Sequence, residues 1–336
     1  MAKGLLLVNL GTPDSTKTKD VRKYLRQFLS DPRVLDIPGF FRFLLLNLVI
    51  LPTRPRKSAE AYKEIWTEQG SPLLINTKQL TDKVSKYLPD WHVVHCMRYG
   101  NPSIAAAIKS MQKEKVSSVY VLPLFPQYAS SSYGSALAEV YSELQKHDYV
   151  IPVHVQAPYY DDPSYIDILS DHSQSSLEGY DYVLMSFHGL PERHVVKSDG
   201  GTLPKGCDLR GPCPKVTKRN YSCYRAQCYA TANAIAKKLG LVNFGVAFQS
   251  RLGKTPWIKP YTDEYLQQIY NQGFRKLAVM CPSFTADCLE TLEEIGMGLQ
   301  EQWLEMGGEA LSLVPCLNDN NNWAELISDW AKKSQS

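Results

Sequence analysis

Short apolar runs alternate with amphipathic stretches along most of the chain. Residues 5–9, 92–98, 118–124 and 150–155 read as strands. The intervening 18–29, 103–113 and 134–146 carry apolar positions at helical spacing. The pattern then restarts, with strands at 182–187, 243–249 and 276–281 and helices at 228–239, 261–271 and 285–302. Strands covered on both faces read as continuous apolar runs, and a repeating β-α-β order implies parallel sheets flanked by helices. The halves look alike: Leu5-Leu6-Leu7-Val8-Asn9-Leu10-Gly11 matches 182–189, and the run from Tyr120 to Phe125 matches 277–284. The expected fold is α/β, with two similar doubly wound, Rossmann-like parallel-sheet domains. They are expected at 1–155 and 156–315, with the terminal helix 316–336 joining the first and a cleft between them fed by loops from both.

The length of 336 residues suits two domains, and 44% apolar with 21% charged residues is ordinary globular composition. A net charge of +3 gives no support for a nucleic-acid binder. No Gly-x-Gly-x-x-Gly follows a strand and there is no Walker loop, so nucleotide binding has little support. The apolar run Leu5-Leu6-Leu7-Val8 is too short for a signal peptide, so the expected location is the cytoplasm. Residues 40–51, Phe-Phe-Arg-Phe-Leu-Leu-Leu-Asn-Leu-Val-Ile-Leu, are strongly apolar but well short of the ~20 residues that span a bilayer. They read either as a buried helix or as an apolar lip that touches a membrane surface or admits a greasy ligand.

Four features carry candidate chemistry. His188 closes the buried run 182–187 and is followed by Gly189-Leu190-Pro191. Chemistry in α/β folds gathers past the carboxyl ends of strands, and a histidine there suits taking or giving protons. Asp287, Glu290 and Glu294 fall at i, i+3 and i+7, one face of a helix. A row of carboxylates suits a hard divalent cation or proton transfer; acids in a first turn also favour the helix dipole, which accounts for Asp287 better than for Glu294. The loop 123–135 is rich in hydroxyls and aromatics, and its helix-start amides either hold an anion or simply follow a cap. Arg54, Arg56 and Lys57 precede Tyr62 and Trp66, and Arg98 ends a strand, where it either clamps a carboxylate or is a surface charge.

Taken together these motifs resemble the ferrochelatase family nearly end to end. The resemblance rests on Leu7-Val8-Asn9-Leu10-Gly11-Thr12-Pro13, on 28–34, on Gly70-Ser71-Pro72-Leu73 and on 123–134. It rests also on Ser186-Phe187-His188-Gly189-Leu190-Pro191, on Phe248-Gln249-Ser250-Arg251 with Pro256-Trp257, and on Phe284-Thr285 with Asp287 and Leu289-Glu290-Thr291-Leu292. It implies insertion of Fe2+ into a porphyrin, protoporphyrin IX foremost, with release of two protons. It implies that His188 is the catalytic histidine and Glu290 the metal-path carboxylate, with Glu294 further along, so that all three meet the substrate iron. It places Arg54, Tyr62, Ser71 and Ser130 near the porphyrin and its propionates, and Trp257 and Tyr128 against the macrocycle. Leu10 stands where some members carry Tyr or Met and cannot coordinate, and Cys288 stands where some carry His.

Where simple members have a short Gly-Asp-Pro-Tyr turn, this chain carries an insert over 197–228 containing Cys207, Cys213, Cys223 and Cys228. Four cysteines in so short a cytoplasmic segment suggest a metal site, and the spacing is not that of a zinc ribbon. It looks like the [2Fe–2S] site of some microbial members, with Zn2+ or no metal as the alternatives. The partners expected are porphyrin and ferrous iron, with peripheral contact to the inner face of a membrane; the oligomeric state stays open. Two other functions stay open as well: a tetrapyrrole-binding or sensing protein without chelatase activity, and a chelatase for Co2+ or Ni2+.

Overall fold

The computed structural model describes residues 2–198, 200–201, 207, 209, 213, 215–251, 253 and 255–334. It divides into two compact units, one of 1–124, 130–157 and 318–336 and the other of 125–129 and 158–317.

The first unit holds β1 (Lys3–Thr12), β2 (Trp91–Gly100), β3 (Val119–Pro123) and β4 (Val153–Val155), all parallel, in the order β2-β1-β3-β4. Leu5, Leu6, Leu7 and Val8 of β1 are fully buried, as expected for a strand covered by helices on both faces. The helix Asn321–Lys333 belongs to this unit and buries Trp323, Ile327 and Ala331. The second unit repeats the plan with β5 (Tyr182–His188), β6 (Phe244–Gln249), β7 (Lys276–Met280) and β8 (Ala310–Leu313), again all parallel, in the order β6-β5-β7-β8. Its core gathers Leu184, Ala247, Leu277, Val279, Ile295 and Trp303. β5 is central here as β1 is there, so both units are doubly wound α/β sheets.

The segment expected as one helix over 285–302 is instead three pieces. A short α-helix, Leu289–Leu292, passes into a π-helical turn, Glu294–Leu299, and then into an α-helix, Gln300–Glu305. The Gly298 amide donates to the Glu293 carbonyl at 2.9 Å, an i→i+5 bond. The segment 40–51 is helical, Gly39–Leu44 continuing into Leu45–Ile50, but it is not buried. Phe40 (69%), Phe41 (62%), Phe43 (63%) and Leu48 (70%) are exposed, which removes the buried-helix reading. No helix among the described residues is long and apolar enough to cross a membrane.

Candidate active site

His188 is the last residue of β5 and lies in register with Gln249, the last residue of β6. Both main-chain polar groups of His188 are held. Its amide donates to the Ser283 hydroxyl at 3.0 Å, and its carbonyl accepts the Tyr224 hydroxyl at 2.8 Å. Nδ1 lies 2.6 Å from the Gly189 carbonyl, which can only accept, so Nδ1 carries the proton and Nε2 is left as the proton acceptor. A side chain at Gly189 would meet the Gln249 carbonyl at 2.7 Å and the Trp257 ring at 3.3 Å. Glycine there lets the indole close on the turn that follows His188.

The end of β6 builds the other wall. The Gln249 amide donates to the Glu290 carbonyl at 2.6 Å, and its oxygen accepts from Ser186 at 2.7 Å, so a buried glutamine joins β5, β6 and the acidic segment. Ser250 follows with φ +66°, a conformation that non-glycine residues rarely adopt. This aims both of its donors at one carboxylate: the Ser250 amide reaches Glu294 Oε1 at 2.7 Å and its hydroxyl reaches Oε2 at 2.5 Å. Burial holds the Glu294 carboxyl above its ordinary ionisation range. The Ser250 hydroxyl, the charge of His188 and the Ser250 amide pull it down, and the Glu290 charge pushes it up. Glu294 therefore feels both His188 and Glu290, and all three lie in one unit. A cavity of about 300 Å³ reaches Glu294 and Ser250 and is bordered by Arg251, Thr262, Asp263 and Gln302.

Asp287 does not share the acidic face. Cys288 is extended at φ −147° and caps the helix, so Asp287 lies ahead of the first turn. It is buried, and its Oδ1 accepts from the Thr291 hydroxyl at 3.2 Å and the Cys316 amide at 3.3 Å, a structural task. Cys288 lies within hydrogen-bond reach of Glu290, and burial pushes its thiol far above the usual range.

Tyr128 and Trp257 lie in the same unit as His188. The Tyr128 amide is held by Gln227 Oε1 at 2.6 Å. Arg54, Tyr62, Ser71 and Ser130 lie in the other unit. There Arg54 is exposed on the helix Leu51–Ile65, and Tyr62 is buried edge-on to Tyr24 and Trp66. Ser71 is buried at the start of the helix Pro72–Tyr87, and the Ser130 hydroxyl accepts from Arg33 at 2.8 Å. Arg98 does clamp a carboxylate, but it is the chain's own Asp31, at 2.9 Å. Sequence reasoning quoted Gln249 and Ser250 within a motif but gave them no task. It missed Tyr224 and Gln227, which sit beside the cysteines and carry no spacing signal of their own.

Cys207, Cys213, Cys223 and Cys228 are all described and none forms a disulfide. Burial pushes the Cys213 thiol up to about 11. Arg225 pulls it down, while Cys223 and Cys207 push it further. Burial likewise raises Cys228, which feels Tyr224, Cys223, Cys213 and Arg225. Cys213 thus feels Cys207, Cys223 and Arg225, and Cys228 feels Cys223, Cys213 and Arg225. Among the described residues, no three His, Cys, Asp or Glu side chains are set in the geometry that holds a metal ion.

The ferrochelatase family model matches residues 2–335. A ferrochelatase of Coxiella burnetii (strain Dugway 5J108-111) is 47% identical over 336 residues, covering 98% of this chain and 93% of that protein. A ferrochelatase of Legionella pneumophila (strain Corby) is 45% identical over 332 residues, covering 97% and 98%. Among solved structures, SirB from Bacillus subtilis with Fe3+ superposes with a TM-score of 0.54 at 10% identity, covering 99% of this chain and 96% of that one. At that identity the likeness concerns the fold alone.

Proposed function

The chain belongs to the ferrochelatase family, and from that premise we propose how its own residues insert Fe2+ into a porphyrin. The observation that carries the reading is the grouping of His188, Glu290 and Glu294 within one unit, with the imidazole locked in the tautomer that presents Nε2. A porphyrin must give up two pyrrole protons as the metal enters. His188 takes a proton at Nε2, because its other ring nitrogen is committed to Gly189. Glu290 offers oxygen to the incoming Fe2+ as it sheds water, and Glu294 receives the charge or the proton behind it. A carboxyl already held above its usual range by burial is suited to carry a proton, and the cavity beside Glu294 and Ser250 gives it a way out.

Porphyrin binding is assigned to Arg54, Tyr62, Ser71, Tyr128, Ser130 and Trp257, with protoporphyrin IX as substrate. The apolar face made by Phe40, Phe41, Phe43 and Leu48 suits shallow contact with a lipid surface, where an insoluble porphyrin would partition. The location proposed is the cytoplasm, with peripheral contact to the inner membrane face. Cys207, Cys213, Cys223 and Cys228 would hold a [2Fe–2S] cluster. It would supply fixed charge and rigidity, since insertion transfers no electrons. A colourless, iron-free protein after anaerobic purification would remove it.

The test is an anaerobic insertion assay that follows loss of porphyrin fluorescence with Fe2+, Co2+ and Zn2+, on protoporphyrin IX and on coproporphyrin III. Glu290→Gln should lower turnover far more than porphyrin affinity. Near-normal turnover in that variant would take Glu290 out of the mechanism.

A further inference from the structure

The helix Tyr224–Leu239 begins between two of the four cysteines, with Cys223 at its cap and Cys228 one turn inside. Its first turn also reaches the candidate active site twice. The Tyr224 hydroxyl donates to the His188 carbonyl at 2.8 Å, and Gln227 Oε1 accepts the Tyr128 amide at 2.6 Å. Tyr224 and Gln227 are both buried. Tyr224 and Cys228 are four residues apart and so lie on one helical face. The phenol is within hydrogen-bond reach of the Cys228 sulfur and of Ser283, whose hydroxyl holds the His188 amide at 3.0 Å.

We propose that Tyr224 and Gln227 are positioning residues that tie the four-cysteine segment to the active site, so that a change at the Cys228 sulfur is felt at His188. The inference rests on the reading of His188 as the proton acceptor. A phenol has one proton to give. Here the His188 carbonyl takes it at 2.8 Å, Ser283 stands as a donor to the phenol oxygen, and the Cys228 sulfur is a second acceptor within reach of the same proton. A Cys228 sulfur that accepts more strongly draws that one proton away from the His188 carbonyl. The turn at His188-Gly189, which fixes the imidazole tautomer, then loses one of its holds.

The experiment is a double-mutant cycle in the full-length protein with Tyr224→Phe and Cys228→Ala. One readout is kcat and KM. The other is the ring 15N spectrum of histidine-labelled protein, with the His188 signals identified by their loss in His188→Ala. Tyr224→Phe should lower kcat about tenfold with KM for iron little changed, and move the His188 signals towards a mixture of tautomers. Cys228→Ala should move them when Tyr224 is present and add nothing when it is Phe. Equal effects of Cys228→Ala in both backgrounds overturn the proposal. Gln227→Met leaves Tyr224 in place and should raise KM for porphyrin about threefold; an unchanged KM overturns the second tie. Should the Tyr224 variant fail to fold, Cys228→Ala alone must still displace the His188 signals, and unmoved signals overturn the inference. Full turnover in His188→Ala would sink the base assignment instead, and would leave the coupling readable in the spectra.

Discussion

Asp31 in the first unit and Glu294 in the second are both carboxylates sheltered from solvent, and they ionise in opposite directions. Burial pushes both up. At Asp31 that push is outweighed by the Ser135 hydroxyl, the Arg33 amide, the Tyr99 hydroxyl and the Arg98 guanidinium, so its carboxyl is held below the usual range. At Glu294, Ser250 and the charge of His188 answer, Glu290 adds repulsion, and the carboxyl is held above it. One unit thus carries a carboxylate whose charge is fully matched, and the other a carboxylate whose charge is not. Full satisfaction makes a clamp that joins the start of 31–35, the end of β2 and the helix Ser135–Leu144. Partial satisfaction leaves a group able to exchange a proton or meet a cation, which is where perturbed carboxyls gather in enzymes.

The comparison predicts that the two units fail differently. His188→Ala should lower turnover about 10³-fold with little change in Tm, because in the proposed mechanism the ring acts through Nε2, while the fold is held by its main chain. A loss of Tm as large as the loss of turnover would make His188 a structural residue like Asp31. Asp31→Asn should do the reverse, lowering stability by about 2–3 kcal/mol in denaturant titrations by unmatching Arg98. Since the folded carboxyl lies below its unfolded value of 3.8, that stability is present above pH 3.8 and fades as pH falls further. A penalty that instead grew on acidification would show that the Arg98 pairing does not set it.

Much of the fold was legible because β1 and β5 are covered on both faces, which leaves unbroken apolar runs such as Leu5-Leu6-Leu7-Val8. His188 was legible as a polar residue closing such a run. The acidic segment was only partly legible. Apolar periodicity does not distinguish an i→i+4 from an i→i+5 bond within one turn, so the π-helical stretch Glu294–Leu299 was invisible, as was the extended Cys288 that puts Asp287 off the face. Ser250 escaped notice because its value lies in a left-handed backbone angle that composition does not record. For 40–51 the sequence showed apolar content but not which way it faces, since burial there depends on what the rest of the chain leaves uncovered.

The smallest effect tests the other side of the comparison. Glu294→Gln keeps the shape and removes the charge that burial opposes. Turnover should fall about tenfold, less than for His188→Ala, because in the proposed mechanism Glu294 follows rather than performs the first proton transfer. Stability should move the opposite way to Asp31→Asn. A carboxyl held above its unfolded value of 4.5 contributes stability below that pH and loses it as pH rises through the folded value. Wild type should therefore weaken relative to Glu294→Gln between acid and neutral pH. The groups that bear on this titration are His188, Glu290 and Ser250, with Arg251 and Asp263 on the cavity wall, and none of them is altered by the variant. Thermal melts of both proteins from pH 4 to pH 8 read the difference directly. A gap that does not change with pH would mean that Glu294 is as well matched as Asp31, and the proton route through it would then lose its physical basis.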